Sequence, residues 1–157
     1  MKVASYDIVF QEIPGEVTLA LNLSGCPCHC PGCHSKHLWE DIGEPLTTDL
    51  LDDLTSRYQG LITCVCFMGG DQDPEEVKRL AAHVQEVQSD KVQCTKLKTA
   101  WYSGRMNMPS DGFDYVKLGP YIESLGGLKS EKTNQRLYKR VEQNWEDITS
   151  SFWKKNL

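Results

Sequence analysis

The chain has 157 residues, 39% of them hydrophobic and 25% charged, with a formal charge of −5. This size and balance suit a single globular domain over residues 1–157, large enough to bury its own core. The acidic balance argues against a nucleic-acid binder, and no apolar run of about 18 residues offers a membrane span.

In chain order, Ile8-Val9-Phe10 reads as a short strand and Glu12 to Glu16, with Pro14-Gly15, as a turn. Val17 to Leu23 alternates as a strand should, with Val17, Leu19, Leu21 and Leu23 on one side. Thr47-Thr48-Asp49 caps a helix reaching Tyr58, with Leu50, Leu51, Leu54 and Tyr58 as its apolar stripe and Gly60 as its stop. Leu61 to Met68 is a continuous apolar run, the signature of a strand buried on both faces. Asp73 then caps a second helix opened by Pro74, with Val77, Leu80, Ala81, Val84 and Val87 along one face. Lys98 to Tyr102 and Phe113 to Leu118 read as further strands, Arg136 to Arg140 as another, and Asp147 to Lys155 as a short terminal helix. Strand–loop–helix units imply an α/β fold with a mostly parallel sheet. The chain is too short for an eight-fold barrel of about 250 residues, so an open or partial parallel β/α barrel is expected.

Four of the seven cysteines fall between Cys26 and Cys33, among Gly25, Pro27, Pro31 and Gly32. Proline and glycine exclude a helix interior or central strand, so this is a tight loop following a strand. The N-terminus lacks the apolar segment of a signal peptide, so the default compartment is a reducing cytoplasm. There, clustered thiols point to metal or catalysis rather than to disulfides. Cys26, Cys30 and Cys33 are spaced C-x3-C-x2-C. Three thiolates on one loop can each bind an iron of a [4Fe-4S] cluster and leave the fourth iron open. The alternative is zinc on some of Cys26, Cys28, Cys30, Cys33 and His34. No distal CxxC completes such a site, and the spacing favours iron–sulfur. Cys64 and Cys66 lie in an apolar strand and read as core, and the isolated Cys94 as structural.

Gly25-Cys26-x3-Cys30-x-Gly32-Cys33 resembles the signature of radical S-adenosylmethionine (SAM) enzymes. More narrowly, Gly32 before the third cysteine and Trp39 after the motif resemble the activating proteins of anaerobic ribonucleoside-triphosphate reductase. Gly69-Gly70-Asp71 is similar to the Gly-Gly-Glu motif that binds the SAM amino group, and Thr133-Asn134-Gln135-Arg136 to a late Ser-Asn-Gln-Arg of that family. The resemblance implies a radical SAM-type partial barrel with a cluster on Cys26, Cys30 and Cys33, and SAM near Gly32, Cys33, His34, Gly69, Gly70 and Asp71. It also implies reduction by flavodoxin or a similar donor, and reductive cleavage of SAM to methionine and a 5′-deoxyadenosyl radical. The end product would be a glycyl radical on the reductase. Cys28 and Ser35 stand where the family commonly has His and Asn, and Asp71 where it has Glu. Cys28 is expected to be a bystander and Lys117 a solvated strand-end lysine. Two other readings remain: a short radical SAM enzyme acting on a small molecule, and a zinc-stabilised binding module.

Overall fold

The computed structural model describes residues 1–89 and 96–154, so Cys94 lies outside the described residues. Its strands are β1 (Lys2–Val9), β2 (Thr18–Leu23), β3 (Glu44–Pro45), β4 (Cys64–Met68), β5 (Lys98–Tyr102), β6 (Tyr115–Leu118), β7 (Arg136–Val141) and β8 (Asn144–Asp147). They form one eight-stranded sheet in the order β3-β1-β2-β4-β5-β6-β7-β8. The four central strands, β2, β4, β5 and β6, pair in parallel. The flanking pairs are antiparallel.

This mixed sheet replaces the expected partial parallel β/α barrel. Among the described residues it carries two α-helices, α1 (Thr48–Arg57) and α2 (Pro74–Ser89). The crossover from β5 to β6 carries no helix; it runs through Pro109 and Gly112, which punctuate the segment. After β6 the chain turns back into the antiparallel β7 and β8, and the strand–helix rhythm a barrel needs ends there.

Both helices begin where capping chemistry places them. Thr47 accepts a hydrogen bond from the Leu50 amide at 3.1 Å, and Asp73 Oδ1 accepts from the Glu76 amide at 3.2 Å. Leu51 and Leu54 of α1 and Val77, Leu80, Ala81 and Val84 of α2 pack on one face of the sheet, against Leu19, Leu21, Val65, Phe67, Trp101 and Val116. Side chains alternate across a strand, so the intervening residues form a second core with Ile13, Cys64, Cys66, Ala100, Tyr115 and Leu137. Leu128, Ile148 and Phe152 pack against that second face. Cys64 and Cys66 are fully buried there, as small hydrophobes.

The first strand is longer than Ile8–Phe10 suggested and is half exposed. The terminal helix expected from Asp147 to Lys155 is, among the described residues, a single 3-10 turn, Thr149–Phe152, and it follows the edge strand β8.

Candidate functional site

In-register pairing of the parallel strands builds the floor of the site. Asn22 of β2 pairs with Met68 of β4, Met68 with Tyr102 of β5, and Tyr102 with Lys117 of β6. This cross-strand row lies at the carboxyl ends of the strands, where open α/β sheets hold their ligands. All four residues line a cavity of about 210 Å³, together with Cys26, Cys28, Cys30 and Cys33.

The cysteine loop is closed at its base. The Gly25 amide donates to Glu40 O at 3.0 Å and the Cys26 amide to Leu38 O at 2.9 Å, so entry and exit are paired. Gln72 Nε2 donates to Ser24 O at 2.9 Å and ties this base to the loop after β4. Inside, the Cys33 amide closes a turn onto Cys30 O at 3.1 Å. Gly32 within that turn has φ +77°, and a Cβ there would stand 2.9 Å from the Glu123 carboxylate. A side chain at this position is therefore both strained and crowded, which is a physical reason for glycine.

The six described cysteines are free thiols, and the four on the loop are partly exposed. Cys33 Sγ accepts a hydrogen bond from the Ser35 amide at 3.3 Å. Such N–H donors to sulfur help set the potential of iron–sulfur centres. Among the described residues no three His, Cys, Asp or Glu side chains are grouped closely enough to hold a single metal ion. Cys26, Cys28, Cys30 and Cys33 instead share the lining of one cavity. Donor type, number and apolar neighbours (Leu23, Leu38 and Met68) fit a [4Fe-4S] group held by Cys26, Cys30 and Cys33.

Asp71 is 3% exposed and fully engaged. Its Oδ1 accepts from Ser103 Oγ at 2.5 Å, and its Oδ2 from the Gly104 amide at 2.9 Å and Cys28 Sγ at 3.6 Å. It thus joins the ends of β4 and β5 to the cysteine loop. Burial, and then the Asp71 charge, push the Cys28 thiol up to about 12, so Cys28 sits there as a neutral donor.

Lys117 is not solvated. It alternates with Val116 and Leu118 on a strand buried on both faces, and is 8% exposed. Its ammonium donates to Ser103 O at 3.2 Å and Gly119 O at 2.9 Å. Burial lowers its pKa to about 8, opposed by the charges of Asp71 and the loop thiols. Gln135, 7% exposed, also reaches the cavity, bringing the late Thr133–Arg136 motif to the site.

Of the residues singled out in the sequence, the cavity gathers Cys26, Cys30, Cys33, Gly69 and Asp71. Gly32, His34 and Gly70 are not in its lining. Gly70 serves the turn into α2: its φ is +87°, and a Cβ would meet Val77 Cγ2 at 2.5 Å. His34 packs edge-on against Tyr121, with centroids 5.5 Å apart. It lines a neighbouring cavity of about 410 Å³ with Gln11, Glu12, Leu128, Lys129 and Phe152. The two cavities share Tyr102 and Tyr121. Sequence reasoning missed Tyr121 and gave Tyr102 and Gln135 no place in the site; the strand-end position of Tyr102 and the late motif around Gln135 were the available signals.

The family of 4Fe-4S single cluster domains matches residues 14–111, more than half of the chain and the whole cysteine loop. The chain belongs to that family. No curated protein and no solved structure matches it. Among the described residues no helix is long and apolar enough to cross a membrane.

Proposed function

Because the chain is a member of the 4Fe-4S single cluster family, we propose that it is a radical SAM activase. In this reading it cleaves SAM at a cluster held by Cys26, Cys30 and Cys33, with flavodoxin or a similar carrier as electron donor. Its product is a glycyl radical on an anaerobic ribonucleoside-triphosphate reductase. The observation that carries the reading is the meeting of three loop thiols with Gly69, Asp71 and Lys117 above one cross-strand row. When bound, the reduced cluster supplies the electron that splits SAM into methionine and a 5′-deoxyadenosyl radical.

The chain's own residues suit that task. Lys117 has three N–H donors and uses two on carbonyls, leaving one for a carboxylate such as that of the SAM methionyl group. Gly69, with φ +107° and no side chain, lets a ligand approach the backbone. Asp71 places a negative charge at the same wall, opposite an ammonium group, although its oxygens already hold Ser103, Gly104 and Cys28. Leu38, Trp39 and Met68 give the lining its apolar part. The larger neighbouring cavity, joined through Tyr102 and Tyr121, offers a protein loop a way in.

The test is anaerobic. Chain reconstituted with iron and sulfide is mixed with SAM, a reductant and the reductase, and read by electron paramagnetic resonance. The expected result is a glycyl doublet with matching release of methionine. SAM cleavage without a doublet would overturn the choice of partner. A colourless chain with one tight zinc would overturn the whole reading.

A further inference from the structure

Pro27, Cys28 and His29 form the arm of the cysteine loop between Cys26 and Cys30. Among the described residues no backbone–backbone hydrogen bond reaches these three; the pairs of the loop lie at Gly25, at Cys26 and between Cys33 and Cys30. Side chains therefore hold the arm. It needs holding, because His29 has φ +44°, a left-handed conformation that a residue with a Cβ adopts only at a cost. At the surface His29 lies flat on Trp39, with centroids 4.6 Å apart and planes at 10°. Towards the site the half-buried Cys28 thiol donates to Asp71 Oδ2 at 3.6 Å. The wall opposite leaves room for that sulfur. Gly104 does not have a positive φ, so the usual backbone reason for glycine is missing there. A Cβ at Gly104 would nevertheless stand 2.8 Å from Cys28 Sγ and 3.3 Å from Cys28 Cβ. Gly104 is also tied in place. Its amide donates to Asp71 Oδ2 at 2.9 Å, and the adjacent Ser103 amide donates to Lys117 O at 2.9 Å.

We propose that Cys28 is a positioning residue: its thiol is a peg, seated against Asp71 and Gly104, that fixes the arm and so the placing of Cys26 and Cys30 as cluster ligands. The inference rests on the ligand set given above. It gives the fourth loop cysteine a task other than ligation. Its S–H is given to a carboxylate of the wall, and its sulfur fills the space that a side chain at Gly104 would take. With a methyl group in place of the thiol that space is empty, and the strained arm keeps the His29–Trp39 contact without the inner one. With a methyl group at Gly104 the peg is expelled, because the tied backbone of the wall does not yield.

The experiment has two arms, and neither uses SAM. In the first, the cluster-free, reduced full chain is treated with iodoacetamide and each cysteine is followed by peptide mapping. Cys28 should react about fivefold faster in Gly104→Ala than in wild type, while Cys33 changes less than about twofold. In the second, the cluster-loaded chain is mixed with an iron chelator and loss of the cluster is followed by absorbance. Iron release should be about threefold faster in Cys28→Ala and about tenfold faster in Gly104→Ala. Joining the two substitutions removes the clash, so the double variant should return to about the rate of Cys28→Ala alone. The electron paramagnetic resonance spectrum of the reduced cluster should change in Gly104→Ala and recover in the double variant. A double variant no better than Gly104→Ala, or Cys28 reactivity unmoved by Gly104→Ala, would overturn the peg. If Gly104→Ala does not fold, Cys28→Ala decides alone, and iron release and a spectrum equal to wild type would overturn the positioning role. A wild-type chain that takes up no cluster would overturn the ligand set instead, and the iodoacetamide arm would still decide whether Cys28 is seated.

Discussion

Asp71→Ala separates two roles that the sequence could not distinguish, ligand contact and structural latch. The carboxylate is 3% exposed and accepts from Ser103 Oγ, the Gly104 amide and Cys28 Sγ. Ser103 is itself 1% exposed, so its hydroxyl has little access to water once Asp71 is gone. A hydrogen bond to a charged acceptor contributes about 1.5–3 kcal/mol, and a buried donor left unpaired costs a similar amount. Two strong donors put the loss at about 3–5 kcal/mol, a large share of the roughly 5–15 kcal/mol that holds a domain together. With a urea slope near 2 kcal/mol/M, the midpoint should fall by about 2 M. The assay is urea unfolding of the cluster-free, fully reduced chain, so that neither cluster nor SAM affinity enters. Asp71→Asn keeps one acceptor and should lose about half as much. In a double-mutant cycle with Ser103→Ala, the two changes should cost less together than separately. A midpoint unchanged in Asp71→Ala would refute the latch and return Asp71 to a ligand role.

Cys26→Ala, Cys30→Ala and Cys33→Ala should each abolish cluster retention and SAM cleavage, while Cys28→Ala keeps much of both; iron and acid-labile sulfide counts decide it. Loss of the cluster in the Cys28 variant alone would overturn the ligand set. Gly70→Ala should cost at least about 2 kcal/mol, since its Cβ meets Val77 at 2.5 Å and Leu23 at 3.1 Å with φ at +87°. Gly60→Ala meets nothing and should cost only about 1 kcal/mol of backbone strain, so equal urea midpoints for the two would be the wrong result. The depressed pKa of Lys117, near 8, means that its charged form is disfavoured in the folded state. Its contribution to stability therefore rises as the pH climbs from about 8 towards the ordinary lysine value of about 10.4. Lys117→Met should remove that rise in unfolding free energy and, on the proposed role, weaken SAM binding about tenfold by equilibrium dialysis.

The helices and the central strands were readable because their signals are local. Thr47 and Asp73 cap the helices where side-chain chemistry requires, and the run into Met68 is apolar on both faces. The barrel expectation failed because it extended a rhythm past β5, where the next crossover contains no helix. β8 was passed over because Asn144-Trp145-Glu146-Asp147 has little strand character of its own; pairing with β7 makes it a strand. Lys117 was misread for a similar reason. A lysine near a strand end is usually solvated, and only the sheet around β6 shows that both of its faces are covered. That Cys26, Cys30 and Cys33 meet on one loop after a strand was readable from the sequence, whereas the place of Tyr102, Tyr121 and Gln135 in the same lining depends on register and chain return, which spacing does not encode.

Register also links the site to the far end of the sheet. Side chains alternate, so slipping β6 by one residue against β5 would turn Lys117 towards the helices and Val116 towards the thiols. Glu16, just before β2, guards against that slip. Its carboxylate accepts from Thr63 Oγ1 at 2.6 Å, Lys98 Nζ at 2.5 Å and Tyr115 OH at 2.9 Å, touching the lead-in of β4 and the first residues of β5 and β6. Burial alone would raise the Glu16 pKa, but the bonds from Lys98, Thr63 and Tyr115 outweigh it and hold the carboxyl below its usual range. A lowered carboxyl pKa gives stability that is present above about pH 4.3 and lost as the pH falls through the folded value. Glu16→Gln should flatten that acid limb. If Glu16 also sets register, the same variant weakens the Lys117 contact at the opposite end of the strands, read as a loss of SAM affinity at neutral pH. A Glu16→Gln chain with a flattened acid limb and wild-type SAM affinity would leave Glu16 a stabilising group and remove its part in positioning Lys117.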